Sequence, residues 1–457
     1  MRKFRRSLAA GLALAFLLAA GGCGSTGQSE DQAGVQDSAN NVNGPGGVNI
    51  YSNEVRQKTD VIQDLIEKNF MYEIDPEKTE EAYYDGLLRG LGDKYATYYT
   101  PEEFAKVREE DEGEFVGIGV TVTKNMENGT IYVVSPIKNT PAEAAGIEAD
   151  DIFIEVGDVA LTTDMELEEI VKMIRGEEGS KVHLKMYRES IEDYVEFDVE
   201  RQKIETISVE YELLENGYGY ISISEFIEKT SPQFKAAVDD LVAKGAKGLI
   251  LDVRNNPGGL TNIVVEMVDY LIEDGQVPKD GDPSKPGVLL EMKDKNGKIL
   301  YQDYTKDEHS VDLPMAILMN GNSASSSEIM IGCLRDYGKV IMVGEKSYGK
   351  GIVQQTFPLT DGSAVKFTIA KYYLPSGSNI HETGIDPEVE IALTAEQRKK
   401  LYKMKPEEDP QLAEAIKALG GEPLKSSGTT ETTEKTESTE KTETTESTET
   451  TESTEEP

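Results

Sequence analysis

Met315-Ala316-Ile317-Leu318-Met319-Asn320-Gly321-Asn322-Ser323-Ala324-Ser325-Ser326-Ser327-Glu328-Ile329 reads as a strand that runs into a serine-bearing helix. Working outward, the same alternation repeats on both sides. Upstream lie strand Tyr218 to Ile223, a helix with Phe234, Val238 and Leu241, the buried-type strand Gly248-Leu249-Ile250-Leu251-Asp252-Val253, and a helix from Val264 to Leu271. Downstream lies strand Val340-Ile341-Met342-Val343. Strands alternating with helices predict a layered α/β core.

Before this core the pattern changes. Val116 to Val122, Ile131 to Val134, Asp151 to Val156, Val182 to Met186 and Tyr194 to Phe197 carry strand signals, broken by one amphipathic helix with Leu167, Ile170, Val171 and Ile174 on a face. Earlier still, Val55, Ile62, Leu65, Ile66 and Phe70 fall at helical spacing, as do Ala82, Tyr83, Leu87, Leu88 and Leu91. Thr100-Pro101-Glu102-Glu103-Phe104 opens a further helix, with threonine as the cap and proline in the first turn. The expected organisation is an α+β multidomain chain. It has a leader (1–23), a linker (24–50), an N-terminal helical region (51–111), a β-rich domain (112–202), a layered α/β core (203–395), a C-terminal helical segment (396–421) and a disordered tail (422–457).

Both ends differ in composition from the body. Arg2, Lys3, Arg5 and Arg6 precede an apolar stretch from Leu8 to Ala20 that is too short to span a bilayer, which predicts export. Ala19-Ala20-Gly21-Gly22-Cys23 resembles the lipobox of bacterial lipoproteins, which implies acylation of Cys23 and a lipid anchor on the extracytoplasmic face of the cell membrane; simple secretion is the alternative. From Thr429 to Glu455 a triplet ending in Thr-Glu recurs, with nothing apolar to bury. The net charge of −38 argues against nucleic acid as a partner. The two cysteines, Cys23 and Cys333, imply no disulfide framework, and Cys333 in Ile329 to Leu334 reads as a buried thiol. No His/Cys/Asp cluster has metal-ligand spacing and there is no phosphate-binding Gly-Lys-Ser loop, so neither metal nor nucleotide is expected.

The chemistry gathers around a serine and a lysine. Ser323, Ser325, Ser326 and Ser327 crowd the helix start, and spacing does not choose between them. Lys350 lies in Ser347-Tyr348-Gly349-Lys350-Gly351, with Gln354 four residues on. A serine hydroxyl needs a base, and a lysine serves only when neutral. Its pKa of about 10.4 must fall by about 3 units, or roughly 4 kcal/mol, in a closed pocket without a neighbouring carboxylate. A helix start offers backbone N–H groups to an oxyanion, and Asn255-Asn256-Pro257-Gly258-Gly259 after a strand could supply a second donor.

Taken together, these motifs resemble the C-terminal processing peptidases, or tail-specific proteases, of Ser/Lys peptidase family S41. The resemblance runs over roughly residues 60 to 420. It rests on Gly90-Leu91-Gly92-Asp93-Lys94-Tyr95, Gly117-Ile118-Gly119-Val120, Thr140 to Ile147, Leu251 to Gly259, the serine helix, Tyr348 to Gly351, Pro375-Ser376-Gly377 and Gly384-Ile385-Asp386-Pro387. It implies a crotonase-like core, Ser325 as nucleophile, Lys350 as general base and Gln354 as its orienting partner. It also implies an oxyanion hole from the N–H of Ser326 and of Gly258 or Gly259.

The β-rich module resembles a PDZ domain, which captures a peptide C-terminus as an added strand. Val116, Gly117, Ile118 and Gly119 match its carboxylate loop. Arg175, just past the groove helix, is placed to couple groove occupancy to the core. The implied partners are polypeptides with free C-termini, and a second copy of the chain, since the family often dimerises through terminal helices.

Two rivals stand beside this reading. One is an inactive core carrying a PDZ scaffold, against which Ser325, Lys350 and Gln354 argue. The other is a serine hydrolase using His381. His183, His309 and His381 read as structural or exposed.

Overall fold

The computed structural model describes residues 52–424 apart from 127 and 307. The leader, Cys23, the linker and the Thr/Glu-rich repeat lie outside the described residues. α1 (Asn53–Asn69) is capped by the Ser52 hydroxyl, and α2 (Pro76–Arg89) by the Asp75 carboxylate with Pro76 in its first turn. The apolar stripe expected on α1 is there, but no residue of the helix is buried, and Val61, Ile62, Leu65 and Ile66 stay exposed. A short strand follows, β1 (Thr97–Tyr99), then α3 (Pro101–Glu112). In α3 the Thr100 hydroxyl and Glu103 carboxylate form a reciprocal capping box, and Gly113 ends the helix at φ 68°.

The next segment forms β2 (Glu114–Gly117), β3 (Val120–Lys124), β4 (Ile131–Pro136), α4 (Pro141–Ala145), β5 (Ile152–Val156), β6 (Val159–Ala160), α5 (Leu167–Ile174), β7 (Lys181–Arg188), β8 (Asp193–Glu200) and β9 (Gln202–Glu205). Its sheet has the order β3-β4-β5-β7-β8, with β6 on β5. The Val116 to Val122 run, expected as one strand, is two. Gly119 turns at φ 82°, where a Cβ would stand 2.3 Å from that of Thr140. As a result β2 leaves this sheet and pairs antiparallel with β9 instead.

The core then runs β10 (Val209–Leu213), β11 (Gly219–Ile223), α6 (Thr230–Ala243), β12 (Leu249–Asp252), α7 (Thr261–Asp269), β13 (Val288–Lys293), β14 (Ile299–Tyr304), β15 (Met315–Met319), α8 (Ser326–Asp336), β16 (Val340–Gly344), β17 (Ile352–Pro358), β18 (Ala364–Tyr373) and β19 (Val389–Glu390). It closes with α9 (Ala395–Lys400) and α10 (Pro410–Ala418). One sheet has the order β10-β11-β12-β15-β16-β19, parallel except for the antiparallel edge strand β10. Every residue of β12 and β15 is buried, as a parallel sheet covered on both faces requires.

One face packs on α6, α7 and α8 through residues such as Phe234, Val264 and Ile329. The other face packs on α10 through Leu412, Ala415 and Ile416. The second sheet, β1-β18-β13-β14 with β17 on β18, covers the far side of α7 and α8 with Leu290, Met292, Ala370 and Tyr372. β1 thus corrects the purely helical N-terminal region: Thr97, Tyr98 and Tyr99 register antiparallel with Lys366, Val365 and Ala364 of β18. Among the described residues no helix is long and apolar enough to cross a membrane.

Candidate active site

Two loops at the C-terminal ends of parallel strands meet here. The loop after β15 is tied to the loop after β12: Asn320 and Asn322 both donate from their side-chain amides to Asn255 Oδ1, at 3.0 and 2.9 Å. Three serine hydroxyls add to the stitching. Ser323 Oγ donates to the Val253 carbonyl at 2.8 Å, Ser326 Oγ to that of Gly259 at 2.8 Å, and Ser327 Oγ to that of Asn256 at 2.9 Å. All three are buried, whereas Ser325 is partly exposed. Ser325 also stands at φ 56°, ψ −114°, in the turn that leads into α8. A non-glycine residue in such a conformation stores about 1–3 kcal/mol, which the surrounding bonds must hold.

Gly258 lies against this turn. A Cβ on it would come 2.8 Å from Ser325 Cβ and 3.0 Å from Ser326 N, and its φ is 109°, so only glycine fits. Its own N–H donates to Asn256 Oδ1 at 2.8 Å. Gly259, at φ 149°, abuts Phe226, where a Cβ would stand 2.2 Å from the carbonyl oxygen.

Glu328 joins the serine turn to the lysine loop. It has no exposed surface. Its Oε2 accepts from the N–H of Ser325 at 3.0 Å and of Lys350 at 2.8 Å. Its Oε1 accepts from Ser347 Oγ at 2.6 Å and from the Gly349 N–H at 2.7 Å. A buried carboxylate survives when its lone pairs are filled this way. The glycines beside Lys350 permit close packing, since a Cβ on Gly351 would stand 2.5 Å from His381 N.

Lys350 itself is 7% exposed. Burial, then the charges of Lys366 and Lys94, push its amine down to about 8, against the opposite pull of Asp93 and Glu328. This corrects the expectation of a site without carboxylates. Two are near, but the Asp93 oxygens accept from the N–H groups of Tyr95 and Thr368, at 2.9 and 2.8 Å, and those of Glu328 are taken as above. Among the described residues neither carboxylate forms an ion pair with the Lys350 amine. That amine lies over the Tyr95 ring, 4.5 Å from its centroid. Gln354 shares a cleft with Ser325, lined also by Thr261, Ile329, Ile352 and Tyr372, and its amide nitrogen donates to Thr368 Oγ1 at 3.3 Å. Lys366, on β18, is also buried. Its amine donates to the Tyr99 hydroxyl, and burial pushes it down to about 8.

Residues 217–391 match the profile of peptidase family S41, and residues 132–188 match that of a PDZ domain. A Staphylococcus epidermidis protein named as a CtpA-like serine protease is 35% identical over 346 residues, 76% of this chain and 67% of that protein. The chain belongs to peptidase family S41. A Staphylococcus haemolyticus protein of the same description is 37% identical over 315 residues, 69% of this S41 chain but 60% of its own length. A solved photosystem II D1 C-terminal processing protease aligns at 25% identity over 73% of this chain and 86% of its own, with a TM-score of 0.42.

In this S41 chain the PDZ sheet presents β3 at its edge, after the turn at Ile118 and Gly119. Val116 and Gly117 sit on β2, opposite Lys203 and Gln202 of β9, and Ile118 is buried in the PDZ core. Arg175 stacks on Phe115, 4.7 Å from its ring centroid, and pairs with Glu109 of α3 at 2.5 Å. Of the histidines, His183 pairs with Asp198 on the PDZ sheet and His309 stacks on Tyr270. His381 packs beside Gly351, and its Nδ1 is buried with no hydrogen-bond partner among the described residues. Sequence reasoning missed Glu328, Asp93, Tyr95 and Lys366 as members of the site. For Glu328 a signal existed, namely an acid directly before the apolar helix run of Ile329 to Leu334, which burial would force to find donors.

Proposed function

We propose that this chain is an endopeptidase that cleaves exported proteins near their C-termini with a Ser325/Lys350 dyad. The observation that carries the reading is the Glu328 carboxylate. One of its oxygens binds the backbone of both residues, and so ties the turn of a strained, partly exposed serine to the loop of a buried amine whose pKa falls to about 8. Neutral Lys350 takes the proton of Ser325 as its Oγ attacks the scissile carbonyl. The oxyanion is met by the N–H of Ser326 at the start of α8 and by that of Gly259 or Gly258, the latter once released from Asn256. Lys350, now protonated, gives its proton to the leaving amine, and water, deprotonated by the same lysine, cleaves the acyl-enzyme. Gln354 would turn from Thr368 to orient the amine.

The rest of the chain serves delivery. The edge position of β3 supports capture of a substrate tail as an added strand, its carboxylate at residues 116–119, where the end of β2 turns into β3. The parallel strands β11, β12, β15 and β16 with their helices support a crotonase-like core. The leader-like sequence and the lipobox-like Cys23 support a lipid-anchored enzyme on the outer face of the membrane, and the exposed apolar stripe of α1 supports a homodimer.

The test is substitution. Ser325→Ala and Lys350→Ala should each lower kcat/KM by roughly 10³ or more, with His381→Ala close to wild type. Because the unprotonated amine is the active form, kcat/KM should climb as pH rises through about 8. A Lys350→Ala enzyme of near-normal rate would defeat the dyad, and proteomics of exported C-termini in wild type against Ser325→Ala would identify substrates.

A further inference from the structure

The segment between α2 and β1 reaches the base from far upstream in the chain. Two sets of contacts fix it there. β1 pairs with β18 in the register Thr97 to Lys366. Asp93 accepts the N–H of Thr368 on β18 at 2.8 Å and, with its other oxygen, the N–H of Tyr95 at 2.9 Å. Thr368 in turn receives the Gln354 amide at 3.3 Å. The result is a tyrosine ring presented face-on to the buried Lys350 amine, its centroid 4.5 Å away. Lys94 Nζ lies over the same ring at 4.8 Å. Among the described residues no hydrogen bond joins the Lys350 amine to Ser325 or Gln354.

We propose that Tyr95 is a positioning residue for the base: its ring face holds the Lys350 ammonium at rest, and the amine leaves the ring to meet Ser325. The inference rests on the reading of Lys350 as the base. A ring face attracts the ammonium and has little hold on the neutral amine. Tyr95 therefore competes with proton loss from Lys350. It also keeps the lysine ordered and dry until a substrate arrives. The other charged groups facing Lys350 are Asp93 and Lys94 from the same segment, Glu328 from α8 and Lys366 from β18. Lys94 and Lys366 favour the neutral amine. Asp93 and Glu328 favour the ammonium, with their oxygens held by backbone N–H groups. Tyr95 alone among them acts through a ring face, which makes it separable by mutation.

The measurement is the rate at which a small fluorophosphonate phosphonylates Ser325 in the full chain, followed against pH. In that step the Ser325 Oγ–P bond forms, fluoride leaves and the hydroxyl proton passes to Lys350, so no peptide delivery enters. Tyr95→Leu removes the ring face and keeps an apolar wall. Its rising limb should move to lower pH by roughly half a unit to one unit. Tyr95→Phe, which keeps the face, should leave the limb in place. If Tyr95→Leu fails to fold, Tyr95→Met makes the same comparison.

A limb that stays put in the Leu or Met variant overturns the proposal. So does one that moves to higher pH, which would make the ring only a barrier to water. An equal shift in Phe and Leu would assign the effect to the hydroxyl and also overturn it. Lys350→Ala separates the two readings. If it reacts at the wild-type rate, the base assignment falls and this inference with it. If it is inert while the Tyr95 limb does not move, this inference alone falls.

Discussion

Glu328 has two oxygens and four donors, drawn from the serine turn and the lysine loop. Glutamine in its place would turn an N–H₂ toward two of those donors, leaving buried N–H groups or a hydroxyl without an acceptor. Each such loss costs about 1–3 kcal/mol. Glu328→Gln should therefore lower stability by about 2–4 kcal/mol in urea denaturation. It should also slow Ser325 phosphonylation by at least about tenfold, because the turn at φ 56° loses its anchor. Retained stability and rate would mean that the turn is held elsewhere. At this scale the motifs in their order pointed to Ser325, Lys350 and Gln354, but nothing in the spacing separated Ser325 from its neighbours. That distinction lies in the carbonyls of Val253, Asn256 and Gly259, which occupy the other three hydroxyls and belong to a loop far away in the chain. Tyr95 and Asp93 were out of reach for the same reason, since their role depends on a tertiary approach.

Elements differed in how plainly they could be read. The all-buried strands β12 and β15, and the amphipathic α5, emerged with nearly their observed bounds, because burial on two faces or one stripe leaves a periodic trace. The antiparallel sheet of β13, β14, β17 and β18 did not. Its strands mix apolar residues with Glu291 and Lys366, both buried with partners, and this breaks any simple alternation. β1 was hidden in a tyrosine-rich stretch whose partner edge lies far along the chain. The end of the chain supplies another long-range tie. The Asp409 carboxylate caps α10 through the N–H groups of Gln411 and Leu412, and it pairs at 2.7 Å with Arg254, a guanidinium 3% exposed. Arg254 also holds Asp252 on β12 and the Gln411 amide. Asp409→Ala removes a cap and a buried counter-charge together, so a loss of about 3–5 kcal/mol in denaturant unfolding is expected. A loss below about 1 kcal/mol would show that Asp252 and Gln411 suffice.

At the scale of the molecule, the PDZ module sits inside the path of the core. The chain leaves after α3, and it returns to β10 through β9, the partner of β2. Glu114 faces Glu205 in that ladder, and the Thr206 N–H donates to the Gly113 carbonyl at 2.9 Å. Both crossings are therefore within one hydrogen bond of each other. A chain in which residues 114–205 give way to a short Gly-Ser turn should fold around the same core. It should phosphonylate Ser325 with the wild-type pH limb while losing preference for peptides with free C-termini. An unfolded product, checked by circular dichroism, would show that the core needs the module to close. If the joint is as self-contained as its ladder, then recognition hangs from catalysis like a tool head on a handle. A lineage could exchange one head for another, and so redirect the blade to new tails, without disturbing a single residue of the cutting edge.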